Sequence, residues 1–349
     1  IKLPMMSLPL LFLAGVPLVQ YYSGSLFFFD KALLSSLFVL GFWFSMVIGY
    51  NLSIQPIKRK QVFTGFSGVL LLTSTATAMI AICQWLTLDA YIPGMVNMQH
   101  AVRPYANFAQ PNNMATFLVM SLMACLYLYE TQKLKTWVLS LCAIVIVFAI
   151  ALSQSRTSWV ACLCILLYGA YQQYKGFIRL KWFYSLAWLG LFIAFILLLP
   201  LATQLVAQLT DANIAQTKDV IARATGDMSR LAIWEQMLHA IADRPWFGYG
   251  WNQTGMAQIA AFDLYPSHEW YKSAHNVVLD LLIWNGIPIG ALILLYLTGW
   301  WYWLNKGAKE SVSIIAMLMV SAILIHALLE FPIHYAYFLL PMGFLLGMI

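Results

Sequence analysis

Long apolar runs separated by short polar or charged segments dominate the hydropathy pattern of this chain. A helix that crosses the hydrocarbon core of a membrane needs about 20 apolar residues. By that measure the pattern predicts ten membrane-spanning helices, at residues 5–22, 32–54, 62–88, 112–130, 134–153, 157–174, 182–205, 275–303, 311–331 and 334–349. We therefore predict an all-α, polytopic helical membrane protein.

The composition excludes the other broad classes of protein. Of the 349 residues, 62% are hydrophobic and 9% are charged, whereas about 25% of the residues of a soluble domain are charged. Transmembrane β-barrels are excluded because their strands alternate polar and apolar positions instead of forming unbroken apolar runs. The five cysteines lie inside apolar runs, so neither a disulfide framework nor a paired-cysteine metal site is indicated.

Lysine and arginine mark every second connection between the predicted spans. The basic connections lie at 58–60, 133–135, 175–181 and 306–309, and basic connections stay in the cytoplasm. This alternation predicts a cytoplasmic N-terminus. It also makes the formal charge of +6 a signal for membrane insertion, which says nothing about an anionic substrate.

The domain organisation follows from the same pattern. We expect one polytopic membrane domain, 1–349, into which a large outward loop, 206–274, is inserted because it is too polar to enter the membrane. The sequence begins without methionine and stops inside an apolar run. We therefore expect it to be a fragment of a longer chain.

Most of the arginines are predicted to lie on the outward side, together with the histidines. Guanidinium groups bind phosphate oxygens in a bidentate fork, which lysine cannot do. The outward arginines therefore indicate a site for a phosphate or a carboxylate, although each could instead pair with a nearby acid. They are Arg103, Arg156, Arg223, Arg230 and Arg244.

Two of these arginines have unusual local settings. Arg156 lies in a turn with almost no loop, at the outer membrane boundary, where an ionisable group is costly and indicates function; it could instead extend to lipid phosphates. Arg230 lies in the first turn of an amphipathic helix predicted at 229–243, on the same face as Trp234. A cation there opposes the helix dipole, which favours a role in binding an anion.

Histidine and carboxylate candidates lie at the outer ends of the late spans. His275 opens the span 275–303, and a neutral imidazole there could act as a general base or simply bind water or headgroups. Glu330 near the membrane edge is expensive unless it is paired, and Arg156 or Arg230 is a candidate partner. Asp280, about one turn beyond His275, could tune that site or pack against a polar neighbour.

Together these motifs resemble the O-antigen ligase and polymerase superfamily of bacterial inner membranes. The ordered set is Ser155-Arg156, Arg230-x-x-x-Trp234, Pro245-Trp-Phe-Gly248-Tyr-Gly250, His275-Asn276 and Gly286-x-x-x-Gly290. Two further motifs are similar to the protein O-oligosaccharyltransferases, or pilin glycosylation ligases: Phe108-Ala-Gln110-Pro-Asn112, and the segment 326–335 with Glu330.

The resemblance implies an enzyme that moves an oligosaccharide from an undecaprenyl-pyrophosphate carrier to Ser or Thr hydroxyls of a pilin or another exported protein. It assigns the activation of the acceptor to His275 and the binding of pyrophosphate to Arg156 and Arg230. Secondary candidates are Arg103, Gln110, Asn112, Arg223, Asn276 and Glu330. The resemblance also implies no cofactor and no metal, membrane lipids but no nucleic acid as partners, and an inner-membrane site that faces the periplasm.

Other functions remain open at this point. An O-antigen ligase that acts on lipid A core, or a polymerase that acts on a second lipid-linked repeat, would share the donor residues. A transporter or flippase is disfavoured, because no internal repeat is visible and Asp280 is the main charged residue inside a predicted span.

Overall fold

The computed structural model describes residues 1–98, 103–108, 110–210, 229–266 and 269–349. Within these ranges the chain is helical and contains no β-strand. The α-helices are α1 (Pro9–Tyr22), α2 (Phe29–Ser53), α3 (Pro56–Trp85), α4 (Pro111–Glu130), α5 (Thr136–Ser153), α6 (Arg156–Tyr174), α7 (Trp182–Thr210), α8 (Ser229–Asp243), α9 (Thr254–Ala260), α10 (Val277–Gly307), α11 (Ser311–Ala327) and α12 (Ala336–Met348).

The helices confirm the predicted all-α, multi-pass membrane architecture. Each of the ten apolar runs coincides with a helix. Among the described residues, seven helical segments are long and apolar enough to cross a membrane, while α11 and α12 are shorter apolar helices. The predicted count of ten spans is therefore approximate. The amphipathic helix predicted at 229–243 is present as α8.

The chain divides into two compact units, each of which is described by itself. Unit 1 consists of Ile1–Gln55, Asp227–Ala308 and Ile323–Ile349, and unit 2 consists of Pro56–Gly226 and Lys309–Ala322. In unit 1, α2 packs against α1 and α12, and α8 packs against α9 and α10. In unit 2, α3, α4 and α5 pack together, and α7 packs against α5.

Helix α10 is broken at Gly286, whose φ of 73° and ψ of 172° are not helical. The break leaves backbone groups near it without helical partners, and the segment 245–250 supplies them. Tyr249 N donates to Ile283 O at 2.8 Å, and Ile287 N donates to Pro245 O at 2.6 Å. Polar backbone inside a membrane protein must find such partners within the protein. The two glycine motifs noted in the sequence therefore meet each other at this break.

Gln20 of α1 also contacts the backbone at the break. Its Nε2 donates to Trp284 O at 2.9 Å, and its Oε1 accepts from Trp251 N at 2.8 Å. Gln20 is buried, and both ends of its amide are paired with backbone groups. It shares Trp284 O with Gly250 N, which donates to that oxygen at 3.1 Å. The break and the segment that packs on it hold the N-terminal part of α10, and His275 lies just before that part.

Candidate functional site

Asp280 fixes the segment that leads into α10. It is 2% exposed, and its carboxylate accepts from Thr254 Oγ1 at 2.9 Å, from Ser273 Oγ at 2.5 Å and from Ala274 N at 2.9 Å. Three donors compensate much of the cost of burying the carboxylate. Of the two roles considered for Asp280, the structure therefore supports polar packing, in this case packing that positions the residues beside His275.

His275 occupies a constrained backbone position. Its φ is 54°, a left-handed conformation that is uncommon outside glycine. Its N–H donates to Ser273 Oγ at 3.0 Å. The next residue, Asn276, caps α10 by accepting from Val278 N at 2.9 Å. The side chain of Asn276 thus starts the helix, while that of His275 is directed away from the helical path.

One carboxylate joins the candidate base to a candidate arginine. His275 Nδ1 lies 2.7 Å from Glu330 Oε2, and Arg230 Nη2 donates to the other oxygen, Oε1. The Glu330 side chain is 5% exposed, whereas those of Arg230 and His275 are 26% and 22% exposed. The prediction that Glu330 pairs with an arginine is confirmed for Arg230.

These two contacts determine the ionisation of Glu330, which lies in the connection between α11 and α12. Burial alone would raise its pKa, because it disfavours the charged carboxylate. The hydrogen bond with His275 and the charge of Arg230 outweigh burial and hold the pKa of Glu330 below its usual range. Glu330 is therefore a carboxylate at neutral pH and acts as an acceptor for His275 Nδ1–H.

Helix α8 contributes one face to this cluster. Arg230 and Trp234 are four residues apart, so their side chains lie on the same side of the helix. Trp234 Nε1 donates to Ala274 O at 3.0 Å, beside His275, while Arg230 contacts Glu330. This geometry explains the spacing of the Arg-x-x-x-Trp motif, because Arg230 binds Glu330 and Trp234 binds the residue next to His275.

Aromatic rings surround His275. Phe331 lies edge-on to the imidazole, with ring centroids 4.9 Å apart, and Tyr271 does so at 6.0 Å. His334 lies edge-on to Phe331, with ring centroids 5.7 Å apart. Burial, with a smaller contribution from His275, lowers the pKa of His334 to about 4, so His334 is a neutral ring at neutral pH. Phe331 and Tyr271 cover part of the imidazole, which stays 22% exposed.

Arg156 belongs to unit 2, where it is the first residue of α6. Ser155 caps this helix by accepting from Ser158 N at 3.3 Å, and Gln154 adopts a left-handed conformation with a φ of 47°. The turn is therefore as tight as the sequence indicated. The hydroxyl groups of the turn mostly form hydrogen bonds within the turn. Ser158 Oγ, for example, donates to Ser155 O at 2.7 Å. Arg156 is half-buried.

The secondary candidates of unit 2 lie close to helix ends. Arg103 Nη1 donates to Ser153 O at 3.3 Å, so it contacts the turn that precedes Arg156. Gln110 is the residue before α4, and Asn112 is buried in its first turn. Arg223 lies outside the described residues.

The structure thus brings Arg230, His275 and Glu330 together within unit 1 and places Arg103 beside the turn of Arg156 within unit 2. Sequence reasoning missed Ser273, which contacts both His275 and Asp280, and Gln20, whose only sequence signal is an amide inside an apolar run. In the described part of the chain, no group of three His, Cys, Asp or Glu residues could hold a metal ion.

Comparisons with known proteins agree with the motifs. Residues 141–294 match the O-antigen ligase family, and residues 104–129 match the protein glycosylation ligase family. The chain is 48% identical to the General O-oligosaccharyltransferase of Acinetobacter baylyi over 348 residues, which cover 100% of this chain and 61% of that protein. It is 30% identical to the ComP-specific O-oligosaccharyltransferase of the same organism over 343 residues, which cover 97% of this chain and 60% of that protein.

The matched regions include most of the candidate residues. Arg156, Arg230 and His275 lie in the first region, and Gln110 and Asn112 lie in the second. Glu330 follows both regions, but the alignments to the two relatives span nearly the whole chain. The chain spans less than two thirds of the length of each of these two relatives.

Proposed function

We propose, from the premise that this chain belongs to the O-antigen ligase superfamily, that it transfers an oligosaccharide from a lipid-linked carrier to a protein hydroxyl group. In the full form of the proposal the carrier is undecaprenyl pyrophosphate, and the acceptor is Ser or Thr of a pilin-like exported protein. The reaction takes place at the periplasmic face of the bacterial inner membrane. The observation that carries the proposal is the hydrogen bond between His275 and Glu330.

His275 is the base in this mechanism. When its Nδ1–H donates to the Glu330 carboxylate, the lone pair of the neutral imidazole lies on Nε2. Nε2 removes the proton of the acceptor hydroxyl as the oxygen attacks the anomeric carbon. The bond from that carbon to the pyrophosphate oxygen breaks, and its electron pair leaves with the pyrophosphate. Glu330 holds the ring in this tautomer and stabilises the imidazolium that forms, as the carboxylate of a Ser-His-Asp triad does.

Arg230 serves two anions in this proposal. One N–H of its guanidinium binds Glu330, and a guanidinium has five N–H donors in all. The remaining donors are available to the pyrophosphate, on which negative charge accumulates in the transition state. Arg156 keeps the same pyrophosphate role, which rests on its sequence motif alone.

The choice of a protein acceptor rests on the comparisons. Both relatives are named O-oligosaccharyltransferases, and residues 104–129 match the protein glycosylation ligases. The alternative is an O-antigen ligase that acts on lipid A core, which the match of residues 141–294 favours. Both alternatives use the same base and the same donor residues.

Reconstitution of the purified protein with undecaprenyl-pyrophosphate glycan tests the proposal. Pilin and lipid A core are offered in the same vesicles, and the mass increase of each acceptor is measured. We expect glycan on pilin, and at least about 10²-fold slower transfer by His275→Ala or Arg230→Ala. The control is His239→Ala, at an exposed position of α8, which should transfer normally. Wild-type rates for His275→Ala would overturn the proposal, and modification of the lipid A core alone would replace it with the alternative.

A further inference from the structure

Unit 2 contains an apolar cavity that the proposed reaction does not use. It lies among α4, α5, α6 and α7 and has a volume of about 460 Å³, within the range of roughly 300–1,000 Å³ that is typical of small-molecule sites. Its walls are mainly aliphatic and aromatic side chains, among them Leu122, Met123, Ala143, Val147, Trp188 and Phe192. Such walls suit a hydrocarbon chain.

The cavity reaches the surface at one end. Thr136, the first residue of α5, and Tyr184, in the first turn of α7, both line it, and both are exposed. Tyr129, near the end of α4, lines the same end. The mouth therefore lies beside the connections 131–135 and 175–181.

A buried carboxylate shapes this mouth. Glu130, which is 7% exposed, accepts from Arg179 N at 2.8 Å and from Leu180 N at 2.9 Å. These bonds tie the connection 175–181 to the end of α4. As a result Leu180 lines the cavity, while the side chains on either side of it, Arg179 and Lys181, are exposed.

The mouth is strongly basic. The two connections beside it carry five cationic side chains, all exposed: Lys133, Lys135, Lys175, Arg179 and Lys181. Basic pockets between transmembrane helices bind the headgroups of anionic lipids, which are concentrated in the cytoplasmic leaflet. The positive connections are also those that the sequence places on the cytoplasmic side.

We propose that this cavity binds one acyl chain of an anionic phospholipid, whose phosphate contacts the basic connection at Arg179 and Lys181. The apolar walls account for the chain, and the cations at the mouth account for the charge of the headgroup. The bound lipid fills the space among α4, α5, α6 and α7 and so stabilises that part of the bundle. The inference is independent of the transfer reaction.

A pair of glycine substitutions tests the chain-binding part of the inference. Gly169 of α6 lines the cavity, and a Cβ there would meet no atom within 4 Å, so we expect the side chain of Gly169→Leu to occupy part of the cavity. Gly190 of α7 has the same freedom but does not line the cavity, which makes Gly190→Leu the matched control. Displacing two methylene groups costs about tenfold in affinity. Native mass spectrometry of delipidated protein titrated with phosphatidylglycerol should show this loss for Gly169→Leu only.

The headgroup contact is tested in the same titration. Arg179→Gln with Lys181→Gln should weaken the binding of phosphatidylglycerol by about tenfold or more, because each cation near the phosphate contributes severalfold. Lys58→Gln with Lys60→Gln removes the same charge from exposed positions of α3 that do not line the cavity, and should leave binding unchanged.

Three results would overturn the inference. Equal binding by Gly169→Leu and Gly190→Leu would mean that the lipid lies outside the cavity. Equal affinity for phosphatidylcholine would mean that the cations do not select the headgroup. Displacement of phosphatidylglycerol by an equimolar amount of undecaprenyl phosphate would assign the cavity to a polyprenyl chain instead.

Discussion

His275 Nδ1 lies 2.7 Å from Glu330 Oε2, although 55 residues separate the two in the chain. Arg230 binds the second oxygen of the same carboxylate. Glu330 is thus shared between the proposed base and a proposed pyrophosphate ligand. Any change of its charge should affect the tautomer of the imidazole and the position of the guanidinium together.

Replacing Glu330 with Gln should slow transfer by about 10²- to 10⁴-fold, by analogy with the loss of the carboxylate of a catalytic triad. The amide can still contact Nδ1, but it no longer stabilises an imidazolium. The effect should appear in kcat, measured by reconstituted transfer, with a smaller change in KM for the donor. Residues that act as a unit are not additive. The double variant with His275→Ala should therefore be no slower than His275→Ala alone, and multiplied losses would argue against the coupling.

The same substitution predicts a pH dependence of stability. The folded-state pKa of Glu330 is lowered, so the ionised side chain stabilises the fold above the unfolded-state pKa of about 4.3. This contribution is lost as the pH falls through the lower folded-state pKa. In detergent, the Tm of the wild-type protein should exceed that of Glu330→Gln at pH 7. This difference in Tm should disappear below about pH 4. A gap that stays constant to pH 3 would contradict the ion-pair assignment.

Part of this cluster was predictable from the sequence, because the cost of burying a charge and the period of a helix restrict which residues can pair. A buried carboxylate needs a cation, which indicated an arginine partner for Glu330. The helical period placed Arg230 and Trp234 on one face of α8. That His275 shares the carboxylate was not predictable, because this depends on how the ends of α8, α10 and α11 meet in space.

Removing the Ser273 hydroxyl should loosen the segment that carries His275. Ser273 Oγ accepts from His275 N and donates to Asp280. Ser273→Ala removes both hydrogen bonds, so it should lower kcat by about tenfold or more. Thr254→Val is the matched control, because it also removes one donor to Asp280 and one acceptor, that of Trp284 Nε1, but does not touch His275. Transfer assays should show the larger loss for Ser273→Ala. Equal losses would mean that Asp280 acts only through general stability.

The contacts at the break in α10 could be predicted from the sequence only in part. Glycine and proline inside an apolar run are common sites of a kink, and α10 is broken at Gly286, two residues before Pro288. Which segment packs there was not predictable. Gln20 looked like an isolated polar residue of α1, because its partner, the carbonyl of Trp284, becomes available only when α10 breaks.

Substituting Gly286 with Ala should destabilise the protein severely. The φ of Gly286 is +73°, and a Cβ there would lie 2.4 Å from Trp246 O, so the segment 245–250 would have to move. Alanine at a positive φ costs more than about 1 kcal/mol even without a clash. Gly299→Ala is the matched control in the same helix, since a Cβ there meets no atom within 4 Å and alanine favours helix. The folded yield after membrane extraction, followed by size-exclusion chromatography, should fall for Gly286→Ala and hold for Gly299→Ala. Normal yield and transfer by Gly286→Ala would show that α10 can close into a continuous helix, and that the break does not position His275.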